Sequence, residues 1–169
     1  MTWRGSVSIP DRIFGTLVYC FAVYDTVFFG SFLLQQFPIF NFLLIPALPV
    51  GLTYSLLGTL LGPLGRFGSF LVFILLFALV VRNDRVSHFI RYNAMQSILI
   101  GILLALAGII MQYVLIPALG RSGLLIETLY NVLFLGGLAA SYFSIIQSAL
   151  GRYAEIPTIS EAAYSQVRW

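Results

Sequence analysis

The chain has 169 residues, 60% of them hydrophobic and only 9% charged, with a formal net charge of +3 and a mean hydropathy of +0.98. A soluble domain carries about a quarter of its residues as Asp, Glu, Lys or Arg, so nine basic and six acidic groups are too few to cover a water-facing surface. The basic residues are scattered between apolar stretches and form no basic groove, which excludes nucleic acid as a partner and fits topology signals and contacts with membrane lipid.

Residues 1–12 are short and polar, and the apolar stretch behind them is too long for a signal-peptide core of about 7–15 residues. No cleavable targeting segment or transit extension is therefore expected. All nine basic residues are Arg and none is Lys, a bias that leans toward a GC-rich bacterial genome. The first span is expected over about 13–34, broken by one acid, Asp25. A carboxylate there costs a few kcal/mol on insertion scales, so it faces protein or water, pairs, or stays protonated. Two readings stand, a hydrogen bond to another helix or a polar lining. Cys20 is the single cysteine, so it forms no intramolecular disulfide.

Residues 39–62 are apolar but carry Pro46, Pro49, Gly51, Gly58 and Gly62, and proline removes a backbone donor and clashes one turn back. This segment is expected to be interfacial or re-entrant. A second span is expected over about 64–81, a third over 92–116 and a fourth over 126–150, with a tail at 151–169. The arginines decide between four and five crossings. With four, Arg4, Arg12, Arg82, Arg85, Arg91, Arg152 and Arg168 share one side, and Arg66 and Arg121 the other. With five the division is nearly even, whereas basic residues in short loops gather on the cytoplasmic side. The expectation is an all-α integral membrane protein with four transmembrane helices, a proline-rich interfacial or re-entrant segment between the first and second, and both termini in the cytoplasm or its organellar equivalent.

Small residues recur at helical spacing in the third span (Gly101, Ala105, Gly108) and the fourth (Gly137, Ser141, Ser144). Small faces let membrane helices approach closely, so these stripes are expected to pack on one another or to line a wetted path. Candidate polar lining or helix contacts are Asp25, Gln96, Gln112, Asn131 and Gln147. Arg82, Arg85 and Arg91 are candidates for partner or lipid contact. Ser87 suits the cap of the third span, and Glu127 the start of the fourth, where a helix N-terminus favours a carboxylate. His88, the lone histidine, reads as a solvated loop residue. No metal-ligand spacing, phosphate loop or hydrolase elbow is present, so neither enzyme activity nor a cofactor is expected.

Val81-Arg82-Asn83 with Phe89-Ile90-Arg91-Tyr92-Asn93-Ala94-Met95-Gln96-Ser97-Ile98-Leu99, and the tail from Gly151 to Tyr164, resemble the central and C-terminal motifs of the Tic-twenty family. That family is the channel-associated subunit of the chloroplast inner-envelope protein translocon. Tyr24-Asp25, Phe29-Gly30 and Gln35-Gln36-Phe37-Pro38 are similar to its first-span region. The resemblance covers about residues 12–166. It implies four membrane helices, both termini on the stromal or cytoplasmic side, and a role in passing preproteins through a membrane within a larger complex. It supplies no catalytic residues. The expected setting is a cyanobacterial membrane, chiefly the plasma membrane, or the plastid inner envelope. Expected partners are membrane lipid and other translocon or membrane proteins, with a homo-oligomer a further candidate. A non-conducting scaffold or assembly factor is the alternative; a solute transporter is disfavoured because no inverted pair of broken spans is visible.

Overall fold

The computed structural model describes residues 7–121 and 123–167, with the backbone alone for Arg66; Arg4 and Arg168 lie outside the described residues. Among those residues the regular elements are all helical. Four stretches are long and apolar enough to cross a membrane: Ile9–Phe29, Pro38–Gly65, His88–Leu119 and Leu124–Ala149. Gly68–Val81 is apolar but shorter.

The first stretch contains α1 (Ile9–Leu17) and α2 (Tyr19–Thr26), followed by a 3-10 turn at Val27–Phe29. It starts at a capping box. Ser8 Oγ accepts from Asp11 N at 3.3 Å, and Asp11 Oδ2 accepts from Ser8 N at 3.0 Å, so two of the donors a helix start leaves orphaned are satisfied. Between α1 and α2 the helix is interrupted at Val18, whose carbonyl accepts from Ser97 Oγ at 2.8 Å. A side chain inserted at a broken rung is a recognised cause of a kink.

A short α3 (Ser31–Gln36) leads into a 3-10 helix at Pro38–Ala47, then α4 (Leu48–Leu61), a 3-10 turn at Gly62–Phe67 and α5 (Gly68–Leu76), which ends in a π-turn at Phe77–Val81. The proline-rich part follows from its own chemistry. In a 3-10 helix the carbonyl of Leu43 looks to the amide three residues on, which is Pro46 and has no N–H. Tyr142 Oη supplies the missing donor at 2.7 Å. The turn after α4 needs glycine. Gly62 has φ +55°, and Gly65 lies directly on Gly58, where a Cβ would collide with the Gly58 backbone.

α6 (His88–Ile110) is capped by Ser87, whose Oγ accepts from Ile90 N at 3.4 Å, and runs through a π-turn at Met111–Leu115 into α7 (Ile116–Leu119). α8 (Leu124–Ala149) ends in a Schellman motif. Arg152 N donates to Gln147 O at 2.8 Å and Gly151 N to Ser148 O at 2.9 Å, with Gly151 at φ +73°. A final α9 (Ile159–Gln166) lies on α6.

The core forms where α1 and α2 pack against both α6 and α8. Tyr19, Ala22, Val23, Phe29, Tyr92 and Phe134 are fully buried there. One end of the bundle collects the start of α1, the end of α5, the start of α6 and the tail. Gly151 sits on the Arg12 side chain, Gly15 on Phe89, and Arg91 Nε donates to Val81 O at 2.9 Å. The far end holds Phe28, Phe29 and Phe32 around Tyr130, with ring centroids 6.0, 5.7 and 5.4 Å away. Arg12 and Val81 therefore lie at the same end. Between them, Ile9–Phe29 leads away, and the two stretches Pro38–Gly65 and Gly68–Val81 together make one net return. The first of these touches the bundle at mid-height: Leu43 at Tyr142, and Tyr54 edge-on to Tyr24 at 5.0 Å.

This arrangement sets an outcome for single-cysteine labelling in a Cys20→Ala background. Cysteines at Arg12, Arg85 and Glu161 should react from one membrane face and one at Arg121 from the other. A cysteine at Leu64 should react with the Arg121 group. Reaction with the Arg85 group would instead make Pro38–Gly65 the crossing helix.

Candidate functional site

Two features stand out inside the bundle: a buried polar knot and a cleft with a carboxylate in its wall. The knot is built on the first turns of α6. Tyr19 Oη lies 2.9 Å from Asn93 Oδ1 and 2.6 Å from Gln96 Oε1 and shares its proton between them. Ser148 Oγ donates to Asn93 Oδ1 at 2.6 Å, and Asn93 Nδ2 donates to Phe89 O at 2.7 Å. Gln96 Nε2 donates to Ala154 O at 3.0 Å and to Ser160 Oγ at 3.2 Å. Tyr92 Oη also donates to Ala154 O, at 2.7 Å. Asn93, Gln96, Ser148 and Ala154 are fully buried. Where water is excluded, an unsatisfied polar group costs several kcal/mol, so these bonds fix α1–α2, α6, α8 and the tail to one another. Tyr92 also packs on Tyr164 and Tyr153, at centroid distances of 4.5 and 4.9 Å.

The polar residues picked from the sequence do not line one path. Gln96 is consumed in the knot. Gln112 is exposed, and Gln147 is half-buried on α8. Asn131 is half-buried, with its Oδ1 enclosed and without a hydrogen-bond partner. Asp25 is half-buried and lines the cleft with Tyr54, Phe73 and Gly101, a space of about 570 Å³.

Three expectations need correction. Arg91, taken as a partner or lipid contact, is buried, and besides Val81 O it meets Asp84 Oδ1 at 3.2 Å. Arg91 thus closes the loop before α6, while Arg82 and Arg85 are exposed on that loop. His88 is not a solvated loop residue: it opens α6 half-buried, its Nδ1 is 3.0 Å from Tyr153 Oη, and its ring stacks near Tyr164. The small stripes of α6 and α8 do not chiefly face one another. A Cβ on Gly101 would meet Asp25, and one on Gly108 would meet Phe28 and Phe29; one on Gly137 would meet Thr26 and Leu104. Their main neighbour is the first span, which packs on both helices, while α6 and α8 also touch directly through Leu104 at Gly137 and Asn93 at Ser148. Ala105 is exposed on the cleft wall, whereas Ser141 and Ser144 are buried.

The knot residues Tyr19, Asn93, Ser148 and Ser160 are not among the candidate site residues named from the sequence, although Asn93 and Ser160 stand in its family motifs. A signal existed in Tyr92, Asn93, Gln96 and Ser97, four polar side chains within six residues of an apolar helix, each needing a partner. The identity of those partners was not visible in the sequence.

Two stability tests follow. Gly137→Leu should destabilise the detergent-solubilised protein by about 1–3 kcal/mol through overpacking, because a Cβ at Gly137 already stands 2.7 Å from Thr26 Cγ2. Gly136→Ala, which meets open space, should be neutral or stabilising by up to about 1 kcal/mol. Equal effects would displace Gly137 from the interface. Tyr19→Phe should cost about 0.5–2 kcal/mol, the range for a hydrogen bond between membrane helices. Asn93→Leu should cost more, because Ser148 is then stranded at about 1–3 kcal/mol per buried group. Reversible unfolding in mixed micelles reads all four variants.

Comparison with known proteins gives the same picture across nearly the whole chain. The family model described as chloroplast import apparatus Tic20-like matches residues 10–163. A Tic20 family protein of Synechocystis sp. is 54% identical over 159 residues, covering 94% of each chain. The Tic20 family protein Ycf60 of Gracilaria tenuistipitata var. liui is 32% identical over 95% of this chain and 77% of its own length. Protein TIC 20-v, chloroplastic, of Arabidopsis thaliana is 28% identical over 96% of this chain and 73% of its own. The two sequence motifs that suggested this resemblance are the ones that meet in the knot, Tyr92, Asn93 and Gln96 from one and Ala154 and Ser160 from the other. With its family model matched from residue 10 to residue 163 and four helices long and apolar enough to cross a membrane, the chain belongs to the Tic20-like family of multi-pass membrane proteins.

Proposed function

We propose that this protein is a membrane subunit of a protein translocon that helps pass preproteins across a cyanobacterial membrane, the plasma membrane, or its plastid counterpart, the inner envelope. The observation that carries the reading is the match to an import-apparatus family over residues 10–163. The end of the bundle with Arg12, Arg82, Arg85 and Arg152 faces the cytoplasm or stroma, as the excess of basic residues in short loops directs. Gly68–Val81 with the turn before it makes the second crossing. Pro38–Leu61 enters and leaves from the far side, its 3-10 part held by Tyr142 at the Leu43 carbonyl and its α-helical part resting on Tyr24 through Tyr54.

The interior of one protomer is filled by large side chains, among them Tyr19, Phe29, Phe134 and Met111. One copy therefore contributes wall to a conduit, and the passage is shared with other subunits or further copies. No catalytic step belongs to this reading. The filled interior also supports a second reading, a non-conducting scaffold that assembles partner membrane proteins.

The two readings separate in one experiment. A preprotein stalled by a tightly folded C-terminal domain is accumulated in native membranes, with photoreactive residues placed on this chain at Asp25, Gln112 and Arg85. Adducts to the stalled chain from at least one position, lost when the preprotein is chased, are the expected result. Adducts to folded membrane partners alone would replace the translocon reading with the scaffold.

A further inference from the structure

The cleft beside Asp25 is walled by α2, α4, α5 and α6. The Asp25 carboxylate lies against Gly101, and the absent side chain leaves it room: a Cβ there would stand 2.5 Å from Oδ2. The rim residues Phe70, Ile102, Ile109 and Tyr113 are exposed, so the cleft opens sideways, toward the region acyl chains fill. Among the described residues no cation and no hydrogen-bond donor reaches the carboxylate. A carboxylate inside a membrane span is costly unless it is neutralised or paired. A cation brought into the cleft offsets that cost.

Depth and composition identify the source. Gly101 stands 13 residues into the 32-residue stretch His88–Leu119, about 20 Å from one helix end and about 27 Å from the other at 1.5 Å per residue, which sets the carboxylate away from both ends, where headgroups lie. A second copy of this chain offers no counterion, since it has no Lys and the seven arginines among the described residues all lie at span ends or in the connections. The cleft volume of about 570 Å³ holds a side chain and its surroundings, not a whole helix. We propose that the cleft docks a transmembrane helix of a different membrane protein, one that carries a single Lys or Arg about halfway along its length. That helix lies over the opening between α5 and α6, and its cation pairs with Asp25. The smallness of Gly101 and Ala105 on this wall lets the two backbones approach. The inference rests on the part of the proposed function in which the chain works among other membrane subunits. It requires no passage of a preprotein, so failure to trap a stalled chain leaves it standing.

The test places a photoreactive residue at Ile102 in the full chain in its native membrane. The expected adduct is to a membrane helix with a central Lys or Arg. Asp25→Asn should cut the yield at least tenfold, and Asp25→Glu should preserve it. Replacing the partner's basic residue with Met, which leaves this chain unaltered, should cut the yield equally, and exchanging the charges between the two chains should restore it. Adducts to lipid alone, to a second copy, or to a helix without a basic residue would overturn the proposal. So would a yield unchanged by the Met substitution.

Discussion

A backbone carbonyl or side-chain amide placed in hydrocarbon has no water to turn to, and this constraint organises the bundle. Ala154 O receives bonds from Tyr92 Oη and Gln96 Nε2, and Asn93 Oδ1 receives Ser148 Oγ while lying 2.9 Å from Tyr19 Oη. Because each group has few alternatives in a medium of low dielectric, the bonds set the register of three helices and dock the tail in one arrangement. The same rule acts elsewhere at single positions. Tyr142 serves the carbonyl that Pro46 cannot, and Ser97 serves the Val18 carbonyl at the interruption between α1 and α2.

Packing follows from that polar frame. The first span packs against both α6 and α8, and small residues appear where side chains press closest: Gly101 under Asp25 and Gly137 under Thr26 of the first span, and Gly15 of the first span under Phe89 of α6. With lipid on the outside there is no hydrophobic drive between helices, so close van der Waals contact at such positions replaces it. The long apolar rows left exposed, such as Leu52, Leu56 and Leu60 on α4 or Ile102, Leu106 and Ile109 on α6, are the surface that lipid or other subunits cover.

The family match and the filled interior together shape the functional reading. In the proposed reading, a translocon subunit whose own core is closed acts through its surfaces. Two surfaces are distinctive: the end carrying the exposed Arg82 and Arg85, and the side cleft with Asp25. The docked tail ties the first of these to the knot, since α9 rests on the turns of α6 that carry Tyr92 and Gln96.

The class of protein, an all-helical chain with four helices long and apolar enough to cross a membrane, was legible in the sequence, because lipid selects composition and span length residue by residue. Ser87 as a cap was legible for the same local reason, whereas of the segment 39–62 expected to be irregular only Pro38–Ala47 is a 3-10 helix and Leu48–Leu61 is a regular α-helix. The partners were not legible. Gly101 and Gly108 looked like a face for α8 and instead receive the first span; Arg91 looked like a surface cation and is buried against Val81; Gln96 looked like a pore lining and holds the tail. Helical periodicity states which residues share a face. Which face meets which neighbour is settled by where Tyr19, Asn93 and Ala154, far apart in the chain, find one another, and only the tertiary structure decides that.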